Sequence, residues 1–202
     1  MILLAAAVEA ELAFWCDRQG VARLITGVGP VEAACAIAAE LSRTRYRLLI
    51  NAGLGGAFDG AAAIGDGTVV ADDTMEVDLE DGTPLRLPQG LRTIELAQSN
   101  AALVERMRSR GFSALHGVTV ARVTSTEATA RRLAERGAQV ESMEGFAALR
   151  AADLAGVAAI ELRGISNRCG GRESSGWNFE AGMFGLQRAL VALLEICDAG
   201  DW

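Results

Sequence analysis

The chain has 202 residues, half of them hydrophobic and 22% charged, with a formal net charge of −7. That length suffices for one sizeable α/β domain with a well-buried core and is short for two, so residues 1–202 read as a single domain. The acidic balance, with a pI near 4.8, repels phosphate backbones and anionic lipid heads. No cluster of Lys or Arg with interleaved aromatics offsets it, which argues against nucleic acid as a partner.

The cysteines Cys16, Cys35, Cys169 and Cys197 are scattered without a CxxC pair. They form neither a zinc pattern nor a disulfide framework, and a reducing cytoplasm fits best. His116 is the single histidine, which puts a multi-histidine metal site or a His-based triad out of reach. Asp72, Asp73, Glu76 and Asp78 read as a solvated acidic strand rather than a calcium site, and no metal is assigned. Residues 1–8 are apolar but lack a basic leader and meet Glu9 and Glu11 at once, unlike a signal peptide. No run approaches the roughly 18 apolar residues of a membrane span, so a soluble, unprocessed protein is expected.

In chain order, residues 1–8 read as a buried strand feeding a helix that begins near Glu11. Residues 21–26 repeat the strand, and Gly27-Val-Gly-Pro30 opens an alanine-rich helix through Leu41, with proline where a missing N–H costs nothing. Residues 46–51 are a third buried strand. It is expected to end in a loop, Asn51-Ala-Gly-Leu-Gly-Gly-Ala-Phe58, whose glycines permit positive φ and close approach to a ligand. Residues 67–87 alternate polar and apolar around Glu80-Asp81-Gly82, a hairpin signal. Helices follow at 98–110, 127–136 and 144–154, strands at 115–123 and 157–163, then a loop over 166–177 and a long helix at 179–197. Strands separated by helices predict a three-layer α/β/α sandwich with a central mixed β-sheet. Glu32 stands where the third glycine of a dinucleotide fingerprint belongs, so no dinucleotide cofactor is expected.

Glu11 lies just past the first strand and Arg163 at the end of the last, so both project toward the carboxyl ends of the sheet. A carboxylate facing an arginine can orient a water and accept its proton. The ordinary alternative is that Glu11 complements a helix dipole. Met143-Glu144 opens a helix, where Glu at the N-terminus and Met as a core filler are equally ordinary. Ser166-Asn167 before a glycine-rich stretch also fits turn chemistry, and Trp177 fits a loop anchor.

The combination of an early Glu, Asn-Ala-Gly-x-x-Gly after the third strand, Met143-Glu144-Gly and Arg163-Gly-Ile-Ser-Asn167 resembles the purine nucleoside phosphorylase and nucleosidase superfamily. The resemblance spans essentially the whole chain and implies a nucleoside phosphorylase-like fold. Ser166-Asn167 followed by Gly170-Gly-Arg172 and Gly176-Trp177-Asn178 is most similar, within it, to the futalosine hydrolase family of the futalosine route to menaquinone. That likeness implies hydrolysis of an N-glycosidic bond, with hypoxanthine leaving and no metal or organic cofactor. It implies a small nucleoside as substrate and a homo-oligomer.

By the same resemblance Glu11 activates water beside Arg163, Glu144 binds the ribose hydroxyls, Met143 lies against the sugar, and Gly55 and Ser166 belong to the substrate site. Asn167 stands where adenine-specific relatives carry an aspartate, and its amide suits a 6-oxopurine. Trp177 matches an aromatic contact to the 5′ substituent, and Arg168 or Arg172 is left to pair with a carboxylate there. Leu54 stands where methylthioadenosine enzymes have a serine. A phosphorylase, an aminodeoxyfutalosine or methylthioadenosine nucleosidase, and a non-catalytic nucleoside-binding protein stay open as alternatives.

Overall fold

The computed structural model describes residues 1–83, 85–89, 91, 93–171 and 176–200. The strands are β1 (Ile2–Ala6), β2 (Val21–Ile25), β3 (Leu48–Ala57), β4 (Gly67–Met75), β5 (Leu96–Gln98), β6 (Ser113–Thr119), β7 (Val140–Ser142) and β8 (Ala158–Arg168). The helices are α1 (Pro30–Arg43), α2 (Ala101–Ser109), α3 (Glu127–Glu135), α4 (Gly145–Ala155) and α5 (Phe179–Ala199). The sheet runs β2-β1-β3-β7-β6-β4-β5, with β8 pairing both β3 and β4. It is mixed: β1, β2, β3 and β8 are parallel neighbours, while β8 meets β4 and β7 meets β3 antiparallel. Because β3, β8, β4, β6 and β7 pair in a closed cycle, this end of the sheet curls on itself, which removes open edges there.

Two apolar layers flank the sheet, as the α/β/α reading requires. Alternation along β1 and β3 sends Leu4, Leu48 and Ile50 to α2 and α5, and sends Leu3 and Leu49 to α1 and α4. Local chemistry sets the helix starts. Pro30 occupies the first turn of α1, and Asn100, Thr126 and Asn178 each accept a backbone N–H to cap α2, α3 and α5.

Several expectations change. The helix after β1 is only a 3-10 turn, Glu9–Leu12, because the Glu11 carboxylate turns back onto the backbone N–H groups of Ala7 and Val8. Residues 51–57 of the glycine run are no loop but the second half of β3, and none of Gly53, Gly55 and Gly56 has positive φ. Ser166 and Asn167 are likewise strand residues, since β8 stays paired to β3 through Ala57 and Arg168. The turn at 80–82 forms, with Gly82 N–H donating to Leu79 O, but the antiparallel hairpin partner of β4 is β5. Asp73 is not solvated: it is fully buried, whereas Asp72 pairs with His116 at 2.9 Å. No helix among the described residues is long and apolar enough to cross a membrane.

Candidate active site

A cleft opens where β1, β3, β7 and β8 end. Glu11, Gly55, Met143, Glu144, Ser166 and Asn167 line it, with Trp177 at its rim. These residues come from distant parts of the chain, and the parallel β1-β3-β8 order brings their strand ends side by side.

At the floor, Glu11 is held from both sides. Its Oε2 accepts from Ala7 N–H at 3.0 Å and Val8 N–H at 3.3 Å, and its Oε1 accepts from Leu54 N–H at 2.8 Å. Arg163, 1% exposed, lies directly beneath. Its Nε donates to Glu161 Oε1 at 2.8 Å and its Nη1 to Leu54 O at 3.4 Å, with Glu144 Oε2 at 3.7 Å. Glycine at 53 makes this possible: a Cβ there would stand 2.5 Å from Arg163 Nη1 and 2.8 Å from Glu11 Oε1. The glycines of β3 thus serve close approach rather than backbone bending. Leu54 turns its side chain toward Gly182 of α5 and offers Glu11 only its N–H.

Glu144 immediately precedes α4, and its carboxylate is fixed by Gly29, whose N–H donates to its Oε1 at 2.9 Å. A register shift between Gly55 and Gly56 leaves Ser166 as the extra residue of β8 and sets Asn167 beside Gly56. Ser166 Oγ lies 2.9 Å from Asn167 Oδ1 and can donate to it, while Asn167 Nδ2 donates to Arg168 O at 3.1 Å. One amide hydrogen of Asn167 therefore stays available to a ligand.

The electrostatics follow from burial. Burial raises Glu11 above its usual pKa; the Leu54 N–H bond and the Arg163 charge pull it down, and Glu144 pushes it up again. A carboxylate so poised accepts a proton more readily than a free one. For Arg163, burial alone would lower the pKa, but Glu161, Glu144 and Glu11 together raise it, so it stays charged.

Below this pair lies a second one. Asp73 accepts from Thr119 Oγ1 at 2.9 Å through Oδ1, and Asp73 Oδ2 and Glu161 Oε2 are buried without a hydrogen-bond donor from the described residues. Both oxygens lie within 2.4 Å of the point a Cβ on Gly145 would occupy. Two carboxylates in one dry space cannot both be ionised. Burial and then the Glu161 charge hold Asp73 well above the carboxylate range, making Asp73 the protonated member and leaving Glu161 as the counter-ion of Arg163.

Of the other sequence-predicted residues, Trp177 is half exposed and its ring meets Phe179 at 5.3 Å. Arg168 is not brought to the cleft: it sits at the exposed end of β8 and pairs with Asp59. Arg172 lies outside the described residues. The sequence reading missed Glu141, a buried carboxylate in the cleft lining, and the apolar rim formed by Val8, Val28 and Val123. A charged residue between Val140 and the apolar run of α4 was the one visible sign of Glu141.

The family model of the phosphorylase superfamily matches residues 14–199, and the chain belongs to that superfamily. The fold agrees: 5′-methylthioadenosine/S-adenosylhomocysteine nucleosidases from Helicobacter pylori and Neisseria meningitidis superpose with TM-scores of 0.81 and 0.77. Each is 14% identical and covers 96% of this chain and 97% and 98% of their own. Within the superfamily the chain belongs to the futalosine hydrolase family. The Thermus thermophilus futalosine hydrolase is 35% identical over 87% of this chain and 81% of its own length. That of Acidothermus cellulolyticus is 38% identical over 84% and 73% respectively.

Proposed function

We propose that the chain, acting as one nucleosidase domain over residues 1–202, hydrolyses the N-glycosidic bond of futalosine and releases hypoxanthine on the futalosine route to menaquinone. The observation that carries this reading is the Glu11–Arg163–Glu144 constellation at the floor of the cleft that Asn167 also lines. Glu11 takes a proton from a water as it attacks the anomeric carbon, and Arg163 holds the Glu11 carboxylate in place from below. Positive charge builds on the sugar, where Glu144 accepts from the ribose hydroxyls and Met143 packs against the ring. Negative charge builds on the base. As the base leaves it takes a proton from solvent at N7, and Asn167 meets it with its Nδ2 donating to O6 and its Oδ1 accepting from N7–H, a set that a 6-amino group mismatches at a cost of about 1–3 kcal/mol. Trp177 packs on the 5′ arm, and Arg172 is the arginine left to meet a carboxylate there, since Arg168 is engaged by Asp59.

Hydrolysis is favoured over phosphorolysis by charge. Among the described residues the cleft lining holds no Lys, Arg or His and presents Glu11, Glu141 and Glu144. Arg163 is already engaged by Glu161, and an incoming phosphate meets carboxylates. The exposed apolar side chains Val123 and Trp177 of the cleft lining, with Phe179 beside Trp177, support a homo-oligomer, and the free thiols at Cys16 and Cys35 support a cytoplasmic location.

The test is chromatographic product analysis with futalosine, inosine and methylthioadenosine, each with and without phosphate. Phosphate-independent hypoxanthine release from futalosine is expected, reduced by about 100-fold or more in Glu11→Gln. Release that requires phosphate, or binding with no release, overturns the reading.

A further inference from the structure

Gly56 is the meeting point of three strands. On β8 its register partner is Asn167, and on β7 its antiparallel partner is Glu141. Side chains of cross-strand partners stand on the same face of a sheet, so an amide and a carboxylate flank Gly56 in one row. Glycine at 56 lets the outer side chains settle close over β3: a Cβ there would come within 2.9 Å of Asn167 Nδ2 and 2.8 Å of Cys169 Sγ. The two outer strands lie roughly 9.5 Å apart, two interstrand spacings, and both Asn167 and Glu141 line the cleft, so a planar heterocycle bound there can meet both.

Glu141 is buried, lines the cleft, and is held in place by Thr124, whose N–H donates to its Oε1 at 3.0 Å and whose hydroxyl donates to its Oε2. Each carboxylate oxygen has two acceptor positions, so both retain one. Nothing cationic pairs with Glu141 among the described residues. A buried, oriented carboxylate with spare acceptor capacity in a binding cleft calls for a donor from the ligand.

We infer that Glu141 reads the N1–H of a 6-oxopurine and is a specificity-determining residue of this site. The inference rests on the nucleosidase reading above and extends it. A 6-oxopurine presents an acceptor at O6 next to a donor at N1, and Asn167 and Glu141 supply the complementary donor and acceptor from opposite sides of Gly56. A 6-aminopurine presents the reverse, a donor at C6 and a bare lone pair at N1, so its N1 faces the carboxylate as acceptor against acceptor. Selectivity for the oxo base therefore comes from two residues on two strands rather than from Asn167 alone.

The direct test needs no variant. Calorimetric binding of hypoxanthine is compared with that of 1-methylhypoxanthine, which keeps O6 and N7 but has no N1–H. Hypoxanthine is expected to bind more tightly by about ten- to a hundredfold. In Glu141→Gln, whose amide can turn either its oxygen or its NH₂ to the base, the preference for futalosine over its 6-amino counterpart is expected to narrow by a similar factor. The measure is the ratio of kcat/KM values. Thr124→Val serves as the control for a purely structural role, because it loosens the Glu141 tether without changing the acceptor; it should lower both substrates alike and leave their ratio in place. Futalosine cleavage with equal binding of the two bases overturns this inference and spares the function. Absence of both cleavage and hypoxanthine binding overturns the function, and the inference with it.

Discussion

Two clusters of charge in this molecule use the same residue types to opposite ends. On the surface, Arg132 and Arg136 grip Glu76 and Asp78, with Arg132 Nη1–Glu76 Oε1 and Arg136 Nη1–Asp78 Oδ2 at 2.7 and 2.6 Å. Two cations meet two anions there, all partly wet. Under the cleft, Asp73, Glu161, Glu144 and Glu11 surround the single cation Arg163, and the two innermost members are fully buried. The first cluster is balanced and replaceable. The second carries an excess of carboxylates in a dry place, an arrangement that costs stability unless a proton is held and a ligand is served.

Breaking the inner cluster should have the largest effect. Arg163→Met removes the counter-ion of Glu161 and the support of Glu11 while nearly preserving volume. Truncating one member of a buried pair typically costs about 3–5 kcal/mol, because the remaining charge is left uncompensated. Urea denaturation should show a loss of that size at neutral pH, together with loss of turnover; a variant as stable as the parent would mean that Glu161 is not ionised.

Asp73→Asn sharpens the comparison without breaking it. The amide keeps the Thr119 contact and donates permanently to Glu161, imitating the protonated acid. A folded-state pKa raised above the ordinary 3.8 means that the folded parent binds more protons than the unfolded chain. Its contribution is thus fully present below 3.8 and is lost as pH rises through the raised value. Asn does not titrate, so the stability difference between variant and parent should grow in the variant's favour from about pH 4 upward. A difference independent of pH would remove the shared proton from the account.

What was legible in the sequence follows the same division. Strand β1, the first half of β3 and the apolar part of β8 show as hydrophobic runs, and the start of α1 shows in Pro30. Glu11, Glu144 and Asn167 stand out in the sequence because family motifs mark them, and all three line the cleft. The second half of β3 was read as a loop because Gly53, Gly55 and Gly56 look like turn residues, whereas their role is to leave space for Arg163, Glu11 and Asn167. Strands β5 and β7, three residues each, are too short for a periodicity to show. Glu141 and Asp73 owe their importance to cross-strand neighbours, which no local pattern encodes, although a charge inside an apolar strand such as Ile160-Glu161-Leu162 is itself a sign of a buried partner.

The smallest effect is expected from the outer cluster. Arg132→Ala removes contacts to Glu76 and Asp78, yet Arg136 remains bonded to both, and burial at this site is only partial. Asp78, and then Glu76, hold the Arg136 pKa up, so the remaining cation still bridges both carboxylates, and the one negative charge left over is in contact with water. Exposed pairs contribute about 0.2–1 kcal/mol and are screened by salt. Thermal unfolding at low and at high salt should therefore show a small loss that shrinks further as salt is raised, with futalosine turnover unchanged. A loss comparable to that of Arg163→Met would mean that the 75–82 segment holds the sheet together rather than decorating it, and that charge balance, more than burial, is what separates the two clusters.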